Sequence, residues 1–376
     1  MEESLMTELV HVQEHQGRDG ARIGQLTLNS ERSLNALSLP MVERLYRQLL
    51  AWQSRDDIQC VLLDGAGDKA FCAGGDIRAM YDACVAHPGE RVEEVEQFFT
   101  AEYRLDHLIH VYPKPIVLWG SGIVMGGGLG LMAGASHRVV TETSRIAMPE
   151  ISIGLFPDVG GTWFLNRMPG QCGRFLGLSG YQMNGADARY VGLADYGVAS
   201  QRRGRLLSDL CQLDWSGAEA HQVLDGLLQR YQDEDLPQLP DSVLQANQAD
   251  IDALMAGDEV AEVVTRMSRL DSDQKWLSRA AATLAMGSPI TMHLLWHQLQ
   301  QGQNLSLEQV FEKELVMAVR CAELGDFVEG VRALLIDKDR QPKWRFASVD
   351  EVPAAHIDAM VTPPWRDHPL QNWNKE

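Results

Sequence analysis

Two carboxylates stand alone in an otherwise uncharged part of the chain. Of the twenty-one residues between Arg145 and Arg167, only Glu150 and Asp158 carry charge, and each follows a proline. Their neighbours are Met148, Ile151, Ile153, Leu155 and Phe156. A carboxyl group set among such side chains loses hydration, and because desolvation penalises the charged form its pKa rises into the range useful for general acid or base work. Local structure offers a second account of each. Glu150 also reads as a helix-start residue after Pro149, and Asp158 as a turn former in Phe156-Pro157-Asp158-Val159-Gly160-Gly161. A third carboxylate, Glu102, shares the helical spacing of Val92, Val95, Phe99 and Ile109, which puts it on an apolar stripe or at the stripe's edge.

Two glycine segments complement the carboxylates. Ala73-Gly74-Gly75-Asp76 and Gly126-Gly127-Gly128 each follow a strand-like apolar run and precede a helical one, so each can aim free backbone N–H groups at an anion. Tight turns need glycine too, but two such donors from separate loops make an oxyanion hole, and beside paired carboxylates they point to chemistry on a carbonyl.

Several elements must position these groups. Leu9 to Gln16 and Ile23 to Asn29 alternate around the turn Gly17-Arg18-Asp19-Gly20, a hairpin pattern. Helical spacing follows at Val42, Leu45, Leu49 and Trp52, and Cys60 to Asp64 is a short apolar strand. Ile116 to Ser136 runs twenty-one residues without a charge, long enough to cross a bilayer, but seven of them are glycine. Strand, glycine turn and helix start is the better reading, since each glycine costs a helix about 1 kcal/mol. A further strand covers Arg138 to Thr141. Strands alternating with helices predict an α/β core over residues 1–204. From residue 205 to 376 the chain reads as mainly helical, with Pro237 and Pro240 as punctuation and helix-spaced apolar residues from Leu307 to Leu335.

Composition narrows the classes. At 376 residues the chain exceeds one ordinary domain, and 45% apolar with 23% charged residues describes a soluble globular protein. A net charge of -19 repels phosphate backbones and anionic headgroups, so neither nucleic acid nor membrane is expected as a partner. The six cysteines are scattered without a C-x-x-C pair, and the start Met1-Glu2-Glu3 lacks a basic n-region; a cytoplasmic location is expected.

Other motifs fail on context. His11-Val12-Gln13-Glu14-His15 matches H-x-x-E-H, but on a strand the histidines stand roughly 13 Å apart, too far for one metal. His293 and His297 have helical spacing and no acidic third ligand nearby. Gly65-Ala66-Gly67-Asp68-Lys69-Ala70 matches G-x-G-x-x-A, yet that fingerprint must open a helix directly, and here the helix starts only after Asp76. Neither a Walker loop nor G-x-S-x-G occurs. No metal and no cofactor is expected.

The segments Leu34-Asn35-Ala36-Leu37, Lys69 to Arg78, Met125 to Gly130, Met148-Pro149-Glu150, Gly154 to Gly161 and Asp326 to Ala333 running on to Asp339 resemble those of the crotonase (enoyl-CoA hydratase/isomerase) superfamily. The resemblance covers residues 23–200 and 275–345, and gives no account of the last thirty. It implies a spiral of β-β-α turns with a mainly helical C-terminal region. It also implies a thioester carbonyl held by the amides of Gly75 and Gly127, hydrolytic carboxylates at Glu150 and Asp158, and Glu102 as a substrate-pocket contact. Hydratases of the family resemble a pattern with a second catalytic glutamate where this chain has Gly130, whereas its hydrolases commonly have glycine there. The implied activity is hydrolysis of a short 3-hydroxyacyl-CoA, 3-hydroxyisobutyryl-CoA from valine breakdown, with CoA as part of the substrate and not a cofactor. Rival expectations are hydration or isomerisation of short acyl-CoAs and non-catalytic CoA binding. Arg32, Lys69 and Arg78 are candidates for CoA phosphates or simply solvated surface charges, and a homo-oligomer is allowed.

Overall fold

A computed structural model describes residues 9–216, 219–235 and 238–373. Met1-Glu2-Glu3 and Pro237 lie outside the described residues.

The chain packs as two compact units that interleave along the sequence. The first comprises the chain up to Gly75, Leu105–Ile146 and Met183–Gln245; the second comprises Asp76–Arg104, Ala147–Gln182 and Ala246–Glu376. Neither unit ends at residue 204. Composition reports the local character of a segment, whereas a packing unit is set by which distant segments bury one another. Every described element after the strand Tyr196–Gly197 is helical.

In the first unit, β1 (Val10–Gln16) and β2 (Arg22–Leu28) form an antiparallel hairpin. Then β3 (Ile58–Gly65), β5 (Ile116–Gly120), β7 (His137–Val140) and β9 (Tyr196–Gly197) add parallel to one another in the order β1-β2-β3-β5-β7-β9. A smaller sheet has the order β4-β6-β8, from Ala70–Cys72, Ile123–Met125 and Arg145–Ala147. One face of the larger sheet presents Ile23, Leu62, Val117, Trp119 and Val139 to Leu206 and Leu210 and to Leu224, Leu227 and Leu228 of two later helices. Each such side chain contributes about 1.5–3 kcal/mol when fully buried. The charge-free stretch after Ile116 is strand, strand and the helix Gly127–Gly134, and among the described residues no helix is long and apolar enough to cross a membrane.

Asn35 explains one of the matched segments. Buried and in the left-handed region at φ 56, it donates through Nδ2 to the Ala66 and Ala70 carbonyls at 3.0 Å each and accepts from Ser30 N–H through Oδ1 at 2.9 Å. Its neighbours fix the next loop: Ala73 N–H donates to Leu34 O at 3.0 Å and Leu37 N–H to Gly74 O at 2.8 Å. The segment Leu34–Leu37 is thus a template for the chain leading to Gly75.

The second unit is helical. The helix Ile77–Ala86 is capped by the Asp76 carboxylate, which accepts from Ala79 N–H. The unit also holds residues 93–104 of the helix Glu93–His110, and the long helices Pro289–Gln301 and Leu307–Leu324. The chain's tail packs here as well, with His368 and Trp373 hydrogen-bonded to Glu312 and Arg104 donating to Pro369 O.

Candidate active site

In the first unit the two glycine loops meet. A Cβ added to Gly74, which sits at φ 110, would contact Met125 O at 3.4 Å and Gly127 N at 3.9 Å. Gly126 precedes the helix Gly127–Gly134 at φ 50, and Gly127 is that helix's first residue, so its N–H has no partner within the helix. The helix seats tightly on β4: a Cβ on Gly128 would lie 2.5 Å from Cys72 O. Gly75 follows Gly74 directly and pairs with Leu37 as an isolated bridge. Gly130 lies buried in the same helix and presents no side chain.

In the second unit the three carboxylates come together. Glu102, Glu150 and Asp158 are each less than 5% exposed. Glu150 opens a 3-10 helix, Glu150–Ile153, after Pro149. This turn is wedged against the matched C-terminal segment, since a Cβ on Gly154 would lie 2.4 Å from Asp326 and one on Gly330 would lie 2.3 Å from Ile153. Asp326 is held in turn by Ser288 Oγ at 2.7 Å and by Arg345 N–H at 2.9 Å. The approaches of Gly154 to Asp326 and of Ile153 to Gly330, each between residues more than 150 positions apart, are why a C-terminal motif accompanies the Glu150 motif.

The electrostatics are those of a site held away from water. Burial raises Glu102 and Glu150 well above the ordinary carboxylate range, and the nearby Asp158 charge adds to both. Asp158 is also raised by burial, against the hydrogen bond from the Tyr103 hydroxyl to Oδ2 at 2.7 Å, which draws it down. Among the described residues no lysine, arginine or histidine pairs with any of the three, and Glu102 Oε1 and Glu150 Oε2 have no hydrogen-bond partner. Carboxyls raised in this way keep a proton at a pH where an exposed carboxylate has lost it, which suits acid–base work at a carbonyl.

Two further residues belong to this geometry. Tyr103 and Glu314 are fully buried; Tyr103 bonds Asp158, and Glu314 accepts from the N–H groups of Gly160 and Thr162 at 2.8 Å each. Glu314 carries the same signal as Glu102, a charge among the helix-spaced apolar residues Val310, Phe311, Leu315 and Ala318. His11 and His15 lie on β1 and bond Asn29 and Gln25. Among the described residues no group of three or more His, Cys, Asp or Glu could hold a metal ion. Arg78 donates to Leu335 O.

A mainly parallel sheet wound with helices and followed by a helical C-terminal region is the arrangement of the crotonase fold. The pattern of the enoyl-CoA hydratase/isomerase family matches residues 23–361, and the chain belongs to that family. It is 40% identical over 339 residues to the mitochondrial 3-hydroxyisobutyryl-CoA hydrolase of Danio rerio, covering 90% of this chain and 86% of that one. It is 36% identical over 330 residues to the human protein of the same name, covering 88% and 83%. Among solved structures it is similar to an enoyl-CoA hydratase from Rhodobacter sphaeroides, with TM-score 0.79, 34% identity and coverage of 94% and 97%. It is also similar to a carnitinyl-CoA dehydratase from Mycobacterium thermoresistibile, with TM-score 0.78, 34% identity and coverage of 94% and 96%.

These relatives overturn the cytoplasmic expectation, since the two hydrolases are named as mitochondrial. Five of the six cysteines are buried and Cys211 is half-buried. Cysteines scattered without a C-x-x-C pair do not tell one reducing compartment from another.

Proposed function

We propose that the protein hydrolyses short 3-hydroxyacyl-CoA thioesters, 3-hydroxyisobutyryl-CoA foremost, releasing 3-hydroxyisobutyrate and CoA as a step of valine breakdown. The observation that carries this is Glu150, buried, among the described residues without a cation and with one carboxyl oxygen unpartnered, and with a second carboxylate near enough to raise it. The names of the relatives supply the substrate.

On this proposal the amides of Gly75 and Gly127 stabilise the negative charge that develops on the thioester oxygen. Glu150 either attacks the carbonyl carbon, giving an anhydride that water opens, or takes a proton from water as water attacks. Both routes break the C–S bond, deliver one water to the acyl carbon and protonate the departing thiolate. Asp158 holds the 3-hydroxyl or passes the proton, and Glu102 borders the acyl group.

Hydration of a short enoyl-CoA is the second reading, favoured by the names of the solved structures. It lacks its second glutamate, because position 130 is glycine. A thiol-release assay over a panel of short acyl-CoAs, with hydration of crotonyl-CoA followed in parallel, decides between them. Free CoA from 3-hydroxyisobutyryl-CoA with slow or no hydration is expected; fast hydration without thiol release would overturn the hydrolase and promote the hydratase.

A further inference from the structure

Asp158 sits at the start of a backbone turn that its own sequence does not favour. Val159 has φ 50 and Gly160 φ 86. A β-branched residue avoids the left-handed region because its Cβ substituents crowd the backbone, so this turn persists only if its surroundings over-determine it. Directly afterwards the short helix Gly161–Leu165 begins at Gly160, which has no side chain with which to cap it.

The missing cap comes from another helix. Glu314, fully buried on Leu307–Leu324, accepts from Gly160 N–H through Oε2 and from Thr162 N–H through Oε1, 2.8 Å each. Both facing groups are donors, so both carboxylate oxygens are needed as acceptors. Gln298 Nε2 secures the other side by donating to Pro157 O at 2.9 Å. The helix bearing Glu314 also supports the partner of Asp158: the Phe311 and Tyr103 rings lie 5.7 Å apart. One helix therefore touches both the turn that carries Asp158 and the tyrosine that bonds it.

We propose that Glu314 is a positioning residue, whose carboxylate holds the Asp158–Gly161 turn in its strained form so that the Asp158 carboxyl meets the Tyr103 hydroxyl and the substrate. This rests on the hydrolytic role proposed for Asp158. Glu314 touches no reacting atom on this account. Burial raises Glu314, while the Thr162 amide and side chain and the Gly160 amide favour its charged form and draw it back.

Glu314→Gln tests it, since the amide keeps the volume but sets an NH2 group against a backbone N–H. Turnover of 3-hydroxyisobutyryl-CoA is expected to fall by about 10- to 100-fold, the scale of a misplaced catalytic group, with KM nearly unchanged. In an Asp158→Asn background the same substitution should cost almost nothing more, because the group it positions is gone. Hydrogen exchange over residues 158–165 should quicken in Glu314→Gln while exchange in β5 stays as in the wild type. Should Glu314→Gln not fold, Glu314→Asp, with both acceptors on a shorter arm, is put through the same comparison. Equal fractional losses in both backgrounds, or unchanged exchange at 158–165, would overturn the proposal. A wild-type protein that releases no thiol would defeat the hydrolase reading instead. The exchange comparison then decides the clamp alone, upheld by faster exchange and overturned by unchanged exchange.

Discussion

The Tyr103 hydroxyl donates to Asp158 Oδ2 across 2.7 Å, and among the described residues it is the one side chain that hydrogen-bonds any of Glu102, Glu150 and Asp158. It favours the ionised form of Asp158 in surroundings that otherwise disfavour charge.

Tyr103→Phe removes that donor and leaves the ring packed. Without it the Asp158 pKa moves further up, so the limb of the pH–rate profile that reports the buried carboxyls should shift to higher pH, with turnover lower by about tenfold as for other single positioning groups. The check is a kcat profile from pH 5 to 9 for both proteins. An unmoved limb would show that the hydroxyl does not tune Asp158.

Glu102 predicts a pH-dependent cost in stability. It is raised by burial first and by the Asp158 charge second, and among the described residues its Oε1 has no partner. A carboxyl whose pKa is raised on folding binds its proton more tightly folded than unfolded. Its contribution is therefore fully present below the ordinary carboxylate range and lost as pH rises through the raised value. Glu102→Gln removes the titration. The variant should melt above the wild type at pH 9, by the equivalent of about 1–3 kcal/mol for a buried charge left unpaired, with the gap closing toward pH 5. Thermal unfolding at both pH values checks this, and a gap independent of pH would contradict it.

Asn35→Ala deletes three hydrogen bonds and forces alanine into the left-handed region, which should cost about 2–4 kcal/mol and loosen the loop leading to Gly75. Asn35→Gly relieves the backbone and not the hydrogen bonds, so its melting temperature should fall between alanine and wild type. Equal melting temperatures for all three would remove Asn35 as the template of that loop.

Much of the candidate site is legible along the chain because its signals are local. Glu150 and Asp158 stand out as the lone charges of an apolar run, and Gly75 and Gly127 as glycines between strand and helix. What was not legible depends on contact between distant segments. Tyr103 reaches Asp158 across 55 positions and Glu314 reaches Gly160 across 154. No spacing rule connects such pairs, although the apolar stripe that singled out Glu102 runs equally around Glu314. The strain at Val159 was likewise hidden, because valine carries no left-handed signature and its φ is imposed from outside. The two packing units escape a linear reading for the same reason, being assembled from three segments each.

The central claim is that Glu150 performs the hydrolysis, and thiol release from 3-hydroxyisobutyryl-CoA by Glu150→Gln tests it most directly. The amide keeps the size of the side chain and loses the nucleophile or base. Turnover should fall by about 10²-fold or more while the thioester still binds within a few fold, measured by calorimetry on a protein whose melting temperature shows it folded. A folded Glu150→Gln protein that retains more than about a tenth of wild-type turnover, well short of the usual cost of losing such a group, would contradict the claim.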